Sequence, residues 1–289
     1  MFPVLPTLIR ALVLITLTLL VGGFAFNAFV LHGKVTAALR EAIIQRRRAW
    51  LLLLVGLAAV VSVFDFAVRA QLATPQTVLQ AMVRLAPFGV LGWLLITAHD
   101  DSVFALAVCA LALLNQSLTS HAAFERDPLL PLAADWVHIT FVSLWLGGVG
   151  YIAAVIVPVA LPRSELLSGL GASVAKFSPL ATMCVLVIAL TGLIQGTTFV
   201  VSLDALVGTS YGRALIVKLI IFAVLIAFGA FHQFVVGPKL NAWRAKAGSQ
   251  AEAARRFRLS ITAEMAVSLL ALIAAAAMTV LPLARDALR

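Results

Sequence analysis

Two histidines interrupt the apolar part of this sequence at positions that could serve metal chemistry. His121 follows one apolar run and His138 begins the next, with a short proline-containing connection between them. If both runs are membrane helices, the connection brings the two imidazoles to the same depth. Imidazole is a ligand for copper and other transition metals, so two imidazoles at one level predict a metal site. The alternative is that each ring only hydrogen-bonds the nearby backbone.

The segment that contains His138 places further side chains on the same helix face. Asp135, His138, Val142 and Trp145 are spaced by three, four and three residues, which aligns them along one side of an α-helix. Asp135 could hydrogen-bond one ring nitrogen of His138 and leave the other nitrogen for a metal. Trp145 then forms a floor deeper in the membrane. Close behind it, a Gly-Gly pair at 147–148 allows a neighbouring helix to approach closely.

Lys218 is another side chain that is costly in a membrane, because it lies well inside the seventh apolar run. Gln195 and Thr191, one turn apart in the sixth run, are at a comparable depth and could solvate its ammonium group. Met278 offers a thioether, which suits Cu(I), at the depth of the two histidines. The predicted site therefore has two metal ligands and five residues on a pathway or in support: His121 and His138, then Asp135, Trp145, Met278, Lys218 and Gln195.

The other three histidines fall at the opposite ends of the apolar runs. A solvated or capping role is the simplest interpretation of His32, His99 and His232, and a second metal or haem level is the alternative. Glu264 enters the last apolar run from this opposite end. We therefore expect it to lie too far from Lys218 for an ion pair.

Membrane helices must position these residues. The chain has 289 residues, of which 63% are hydrophobic and 11% charged, too apolar for a water-soluble domain. Lipid offers the backbone no hydrogen-bond partners, so spanning segments form helices or closed barrels, and the long continuous apolar runs favour helices. Cys109 and Cys184 each lie inside such a run, which argues against a disulfide framework.

The apolar runs predict an all-α bundle of about eight spanning helices with no soluble domain. The N-terminal run lacks the basic start and cleavage site of a signal peptide, so we interpret it as the first helix. We divide the bundle into an N-terminal half at 1–125 and a C-terminal half at 126–289, which carries the candidate site. The predicted helices lie near 8–31, 50–70, 78–97, 103–122, 134–157, 174–200, 212–236 and 259–281.

Basic residues cluster in the first and last connections between runs, at 34–48 and 239–258. The positive-inside rule places both connections in the cytoplasm, and the even number of helices between them puts both termini outside. His121 and the start of the His138 helix are then at the external face. The net charge of +9 thus orients the chain in the membrane and does not indicate nucleic-acid binding.

Five segments, in order, resemble the CopD/PcoD family of bacterial inner-membrane copper-resistance proteins. The resemblance is dense in the second half and is limited to the hydropathy pattern in the first. One departure is "GAFHQFVVGPKL", which has His232 and Gln233 where the family commonly has an Asn-Arg pair before the proline. The matching segments are "SHAA" at 120–123, "DWVHITFVSLWLGG" at 135–148, "KFSPLATMCVLVIALTGLIQG" at 176–196, "TSYGRALIVK" at 209–218, and Glu264.

The resemblance implies a multi-pass inner-membrane protein that moves copper, often beside a periplasmic CopC-type copper carrier. The leading hypothesis is copper uptake, with His121 and His138 as the first ligands at the outer face. Two alternatives stay open: a haem b protein with paired histidine ligands, and a sensor or assembly partner that binds copper without transporting it. We find no catalytic constellation and no ATP-binding loop, so we do not predict an enzyme.

Overall fold

The computed structural model describes residues 4–31, 33–69, 75–97, 102–200, 202–236 and 250–284. Every regular element in these ranges is a helix, which confirms the all-α prediction. His32 and His99 lie outside the described residues, as does most of the second basic connection.

The described helices follow one another along the chain with short turns between them. Short 3₁₀ turns lie at Lys34–Thr36, His121–Phe124 and Ser164–Leu166, and π-helical turns at Ile152–Ile156 and His232–Val236. The α-helices are α1 Val4–Phe29, α2 Ala37–Arg69, α3 Pro75–Ile96, α4 Ser102–Ser117, α5 Leu129–Tyr151, α6 Val157–Ala160, α7 Leu167–Phe199, α8 Leu203–Gly208, α9 Ser210–Phe231 and α10 Gln250–Met278.

Six stretches of the described chain are long and apolar enough to cross a membrane, so this is a multi-pass membrane protein. Two further apolar helices, Met82–Ile96 and Val103–Ser117, are shorter. They fall where the third and fourth spans are predicted. The six longer stretches are Val4–Phe29, Ala37–Ala67, Leu129–Ala160, Ser164–Phe199, Ser210–Val235 and Arg256–Met278.

Several helices begin well before their apolar runs. α2 starts at Ala37, so part of the basic segment predicted as a connection forms its first turns. Ala, Arg and Glu are good helix formers and extend the helix beyond its apolar span. The Arg46 and Arg48 side chains donate hydrogen bonds to the carbonyls of Ala154 and Ile96, at 2.9 Å and 2.7 Å. The basic cluster is thereby tied to two neighbouring helix ends.

Glycines let α1 and α5 touch at the centre of the bundle. A Cβ at Gly22 would collide with the backbone of Gly147, and a Cβ at Gly147 would collide with the carbonyl of Thr18. On the next position of α5, a Cβ at Gly148 would meet the ring of Phe177 in α7. The prediction that the pair at 147–148 allows close helix approach is confirmed.

Two large clusters of buried apolar residues flank this contact. One is built from α1, α2, α3 and α4, and the other joins the C-terminal end of α1 and the start of α2 to α5, α7, α9 and α10. Cys109 lies in the first cluster and Cys184 in the second, both buried and free, as expected of small core residues. Because α1 belongs to both clusters, the division near residue 125 stays a prediction.

Candidate functional site

A cavity of about 720 Å³ lies between α1, α4, α5, α7, α9 and α10. Its lining is mostly apolar, with polar groups contributed by several helices and by the turn after α4. Residues far apart in the sequence therefore meet at one place. All seven predicted site residues line this cavity: His121, Asp135, His138, Trp145, Gln195, Lys218 and Met278.

His138 is held by a threonine of the neighbouring helix. The ring Nδ1 lies 2.9 Å from Oγ1 of Thr191 in α7. The Thr191 hydroxyl donates to the Val187 carbonyl at 2.7 Å, so its oxygen is left to accept. We infer that Nδ1 of His138 carries the proton and donates it to this oxygen. In the neutral ring, Nε2 consequently keeps its lone pair, as a metal ligand requires.

The predicted hydrogen bond from Asp135 to His138 is wrong. Asp135 accepts instead from the hydroxyl of Ser120 at 3.0 Å. The two side chains do lie on one face of α5, but Thr191 occupies the ring nitrogen that faces α7. Thr191 thus orients the ring in the place of the carboxylate, and its predicted role in solvating Lys218 stays a prediction. Asp135 is within electrostatic reach of Lys218 and Arg10.

His121 lies beyond the end of α4. The helix ends at Ser117, and His121 begins the 3₁₀ turn His121–Phe124. The α-helical pattern ends there because the N–H groups of Thr119 and Ser120 donate to the carbonyls three residues earlier, those of Gln116 and Ser117, at 3.2 Å and 2.9 Å. Nε2 of His121 is buried, and no described residue hydrogen-bonds it. A buried nitrogen without a partner is unfavourable, so a ligand at this atom would remove a cost.

The remaining predicted residues line the same cavity as the two imidazoles. Lys218 is half-buried and interacts electrostatically with Asp135. Nε2 of Gln195 is buried without a hydrogen-bond partner among the described residues. Trp145 is buried and meets the ring of Phe222 edge to face, with the ring centroids 6.0 Å apart. Met278 is buried at the cavity wall, where its thioether is available to a soft ion.

Arg10 is a cavity residue that sequence reasoning missed. It is 2% exposed and donates to the hydroxyl of Thr119 at 3.2 Å. Its guanidinium lies 4.0 Å from the carboxylate of Asp65, which pairs with Arg84 at 3.2 Å. The available signal was the charge itself, since an arginine inside the first apolar run needs partners.

His232 and Glu264 form a second polar pair, away from the cavity. The His232 Nδ1 lies 2.8 Å from the Glu264 carboxylate, and its Nε2 hydrogen-bonds the hydroxyl of Ser260 at 2.5 Å. The default expectation of a solvated or capping His232 is therefore wrong, because α10 supplies buried partners. Both ring nitrogens are occupied, which leaves none for a haem iron. Glu264 does not pair with Lys218, as expected.

The cavity offers few side chains that can bind a metal ion. No group of three or more His, Cys, Asp or Glu side chains suited to a metal occurs within the described residues. Two imidazoles and one thioether are nevertheless available around the cavity, from His121, His138 and Met278. A small set of nitrogen and sulfur ligands suits Cu(I) better than a hard cation such as Mg²⁺.

Comparison with known proteins points to copper. Residues 171–278 match the family model described as Copper resistance protein D, or CopD. The Copper transport protein CutJ of Bacillus subtilis (strain 168) is 32% identical over 172 residues, which are 59% of this chain and 29% of CutJ. The chain therefore matches less than a third of that relative's length. No solved structure matches significantly.

The family model and the relative are both described in terms of copper. The CopD match includes Gln195, Lys218 and Met278, whereas His121 and His138 precede it. The cavity thus combines residues inside the matched segment with residues outside it. Neither match gives support to the haem alternative or to the sensor alternative.

Proposed function

The chain belongs to the CopD family through the domain in its C-terminal half, and we propose that it transports copper across the membrane through the cavity between α5, α7 and α9. The copper ion is the cargo, and His121 and His138 are its first ligands. Met278 and Trp145 line the next step inward, and Lys218 and Gln195 shape the wall.

The arrangement of the two imidazoles carries this proposal. The hydrogen bond to Thr191 leaves Nε2 of His138 as the acceptor nitrogen, and Nε2 of His121 is buried without a described partner. Both rings line the same cavity. A metal ion is a partner that two such nitrogens can share, and imidazole with thioether is a ligand set that binds Cu(I).

The inner side of the cavity is closed by packed apolar residues. Leu225 of α9 is 1% exposed and Leu272 of α10 is 5% exposed, and both line the cavity. The His232–Glu264 pair lies about two turns beyond them on the same two helices. Copper can pass inward only if α9 and α10 move apart at this point, so transport requires a conformational change.

We place the protein in the bacterial inner membrane as a bundle of about eight spanning helices with both termini outside. Its His121 end then faces the periplasm, and copper moves inward, toward the cytoplasm. A periplasmic CopC-type copper carrier is the proposed donor at this end. The positive-inside assignment of the basic residues at the start of α2 supports this orientation.

Copper transport by the purified protein in lipid vesicles tests the proposal. Vesicles that enclose a Cu(I)-responsive dye should accumulate copper when they contain the wild-type protein, and His121→Ala with His138→Ala should abolish the accumulation. Thr140→Ala is the matched control, because Thr140 lies on α5 near His138 but does not line the cavity.

Two outcomes would contradict the proposal in different ways. Equal accumulation by the wild-type and the double variant would remove the histidines from the pathway. Copper that binds to the wild-type protein but does not enter the vesicles would leave a copper-binding sensor or assembly partner as the function.

A further inference from the structure

The cavity is much larger than a copper ion needs. A volume of about 720 Å³ is that of a pocket for an organic molecule, and pockets of this kind are mostly apolar with a few polar groups that orient the ligand. Several of the polar groups here lie around Asp135, which accepts from Ser120 and is within electrostatic reach of Lys218 and Arg10. The rest of the wall is apolar, with Leu193, Phe222 and Leu225 among its residues.

The apolar part of the cavity opens between α7 and α9. These two helices contact each other sparsely, whereas α5 and α7 are closely packed. The residues at the opening are strongly exposed, with Leu193 at 65%, Leu219 at 53% and Leu203 at 79%. A Cβ at Gly196 of α7, which also lines the cavity, would meet no atom within 4 Å. In a membrane-spanning bundle an opening with leucines at its rim faces lipid tails rather than water.

The charge of the cavity wall favours an anionic group. Lys218 and Arg10 bring two positive charges, and Asp135 brings one negative charge. Arg10 is already bound to Thr119 and lies close to Asp65. Lys218 differs, because no described side chain hydrogen-bonds its ammonium group and Asp135 is its named electrostatic partner. Lys218 is thus the cation available to an anion that enters from the side.

We propose that the opening between α7 and α9 is a lateral portal for an anionic phospholipid, with its phosphate at Lys218 and an acyl chain inside the cavity. Three features agree on this occupant: an apolar wall of suitable volume, an opening lined by lipid-facing leucines, and a lysine at the polar end. The proposal does not depend on copper transport, since a lipid can occupy the cavity whether or not copper crosses it.

Trp145 provides a reporter for an acyl chain in the cavity. It lines the cavity and is 3% exposed, so lipid that stays outside the bundle does not reach it directly. A variant that keeps Trp145 and has phenylalanine at the other four of the five tryptophans would be placed in lipid nanodiscs. Phosphatidylglycerol brominated in its acyl chains quenches tryptophan on contact. We expect this lipid to cause a large loss of Trp145 emission, relative to the unbrominated lipid.

Two glycine variants separate entry through the portal from contact elsewhere. Gly196→Phe places a ring at the opening, where an added Cβ would meet no atom within 4 Å, and should restore Trp145 emission. Gly229→Phe is the matched control, because Gly229 of α9 is also half-buried with no atom within 4 Å of a Cβ but does not line the cavity. It should leave the quenching unchanged. Absent quenching in the starting protein, or equal quenching with Gly196→Phe, would overturn the portal.

The head-group assignment has its own test. Brominated phosphatidylglycerol should quench Trp145 at a lower mole fraction than brominated phosphatidylcholine, and Lys218→Gln should abolish this difference while Lys218→Arg preserves it. An undiminished preference in Lys218→Gln would contradict the role of the lysine. Both quenching experiments are carried out without copper. A negative result would therefore count against lipid binding and not against copper transport.

Discussion

At His138, a threonine hydroxyl decides which nitrogen a metal can use. Thr191 donates to the Val187 carbonyl within its own helix, and we infer that its oxygen accepts from the ring. The ring is thereby fixed in one tautomer and one orientation. The bond crosses from α5 to α7, and the position of the proposed ligand therefore depends on the packing of these two helices.

Replacement of Thr191 by valine should weaken copper binding while the fold is retained. Valine has the same shape but offers the Nδ1 proton no acceptor, so the ring loses its orientation. Loss of such a partner lowers metal affinity by about 10-fold to 100-fold in known sites. Competition against a chromophoric Cu(I) chelator would measure the affinity.

Thr182→Val is the matched control for this measurement. Thr182 lies on the same helix and makes the same kind of bond, to the Ser178 carbonyl at 3.1 Å, but it is exposed and does not line the cavity. Its copper affinity should equal that of the wild-type protein. If the two valine variants bind copper equally well, Thr191 does not position a ligand.

The spacing in the sequence predicted which side chains of α5 share a face at the cavity but not their hydrogen-bond partners. Steps of three and four correctly aligned Asp135, His138 and Trp145, because helix periodicity depends only on the residue's own segment. Thr191 and Ser120 come from other segments, and their contacts depend on how the helices rotate and pack. Arg10 was missed for a different reason. Its charge in the first apolar run was visible in the sequence, but the sequence does not show which distant residues it contacts.

At the level of elements, the contact between α1 and α5 sets the geometry of the cavity wall. Thr18 of α1 and Ser143 of α5 lie 3.4 Å apart beside the glycine contact, and both line the cavity. A side chain at Gly147 would enter the backbone of α1. If α1 and α5 moved apart, the packing at the centre of the bundle and the shape of the cavity wall would therefore both change.

Gly147→Ala should therefore destabilise the protein. The added methyl group must push α1 away, and overpacking of this kind costs about 1–3 kcal/mol or more. Gly56→Ala is the control, because a Cβ at Gly56 in α2 meets nothing within 4 Å. Its stability should be unchanged or higher. Thermal unfolding in detergent would compare the two, and equal melting temperatures would contradict the close contact.

Hydropathy predicted the type and approximate place of the spanning elements but not their ends. α2 and α10 extend into basic segments because helix propensity continues after the apolar run stops. His121 was assigned to the end of α4, although that helix ends earlier, at Ser117. The length of an apolar run reflects the thickness of the membrane, whereas the helix that contains it can continue further.

For the whole molecule, we propose an orientation in the membrane from the basic residues at the start of α2, and this orientation determines what the cavity faces. The positive-inside rule places these residues in the cytoplasm. The turn His121–Phe124 lies at the other end of the bundle in this topology, on the periplasmic side. Uptake from the periplasm requires this orientation, because the two imidazoles must meet copper before the closed inner wall.

Cysteine labelling of whole cells would test the orientation. Phe124 is 80% exposed in the turn after α4, whereas Glu165 is exposed in the turn before α7. In a variant that lacks Cys109 and Cys184, Phe124→Cys should react with a membrane-impermeant maleimide and Glu165→Cys should react only after the cells are lysed. The opposite pattern would reverse the direction in which the cavity faces.

The most direct test of the account is the copper content of the purified protein. The central claim is that His121 and His138 hold copper in one cavity. After loading with Cu(I) and removal of excess metal, the wild-type protein should retain bound copper, and His121→Ala with His138→Ala should lose it. Thr140→Ala should retain the wild-type amount. Equal copper in the wild-type protein and the double histidine variant would contradict the claim.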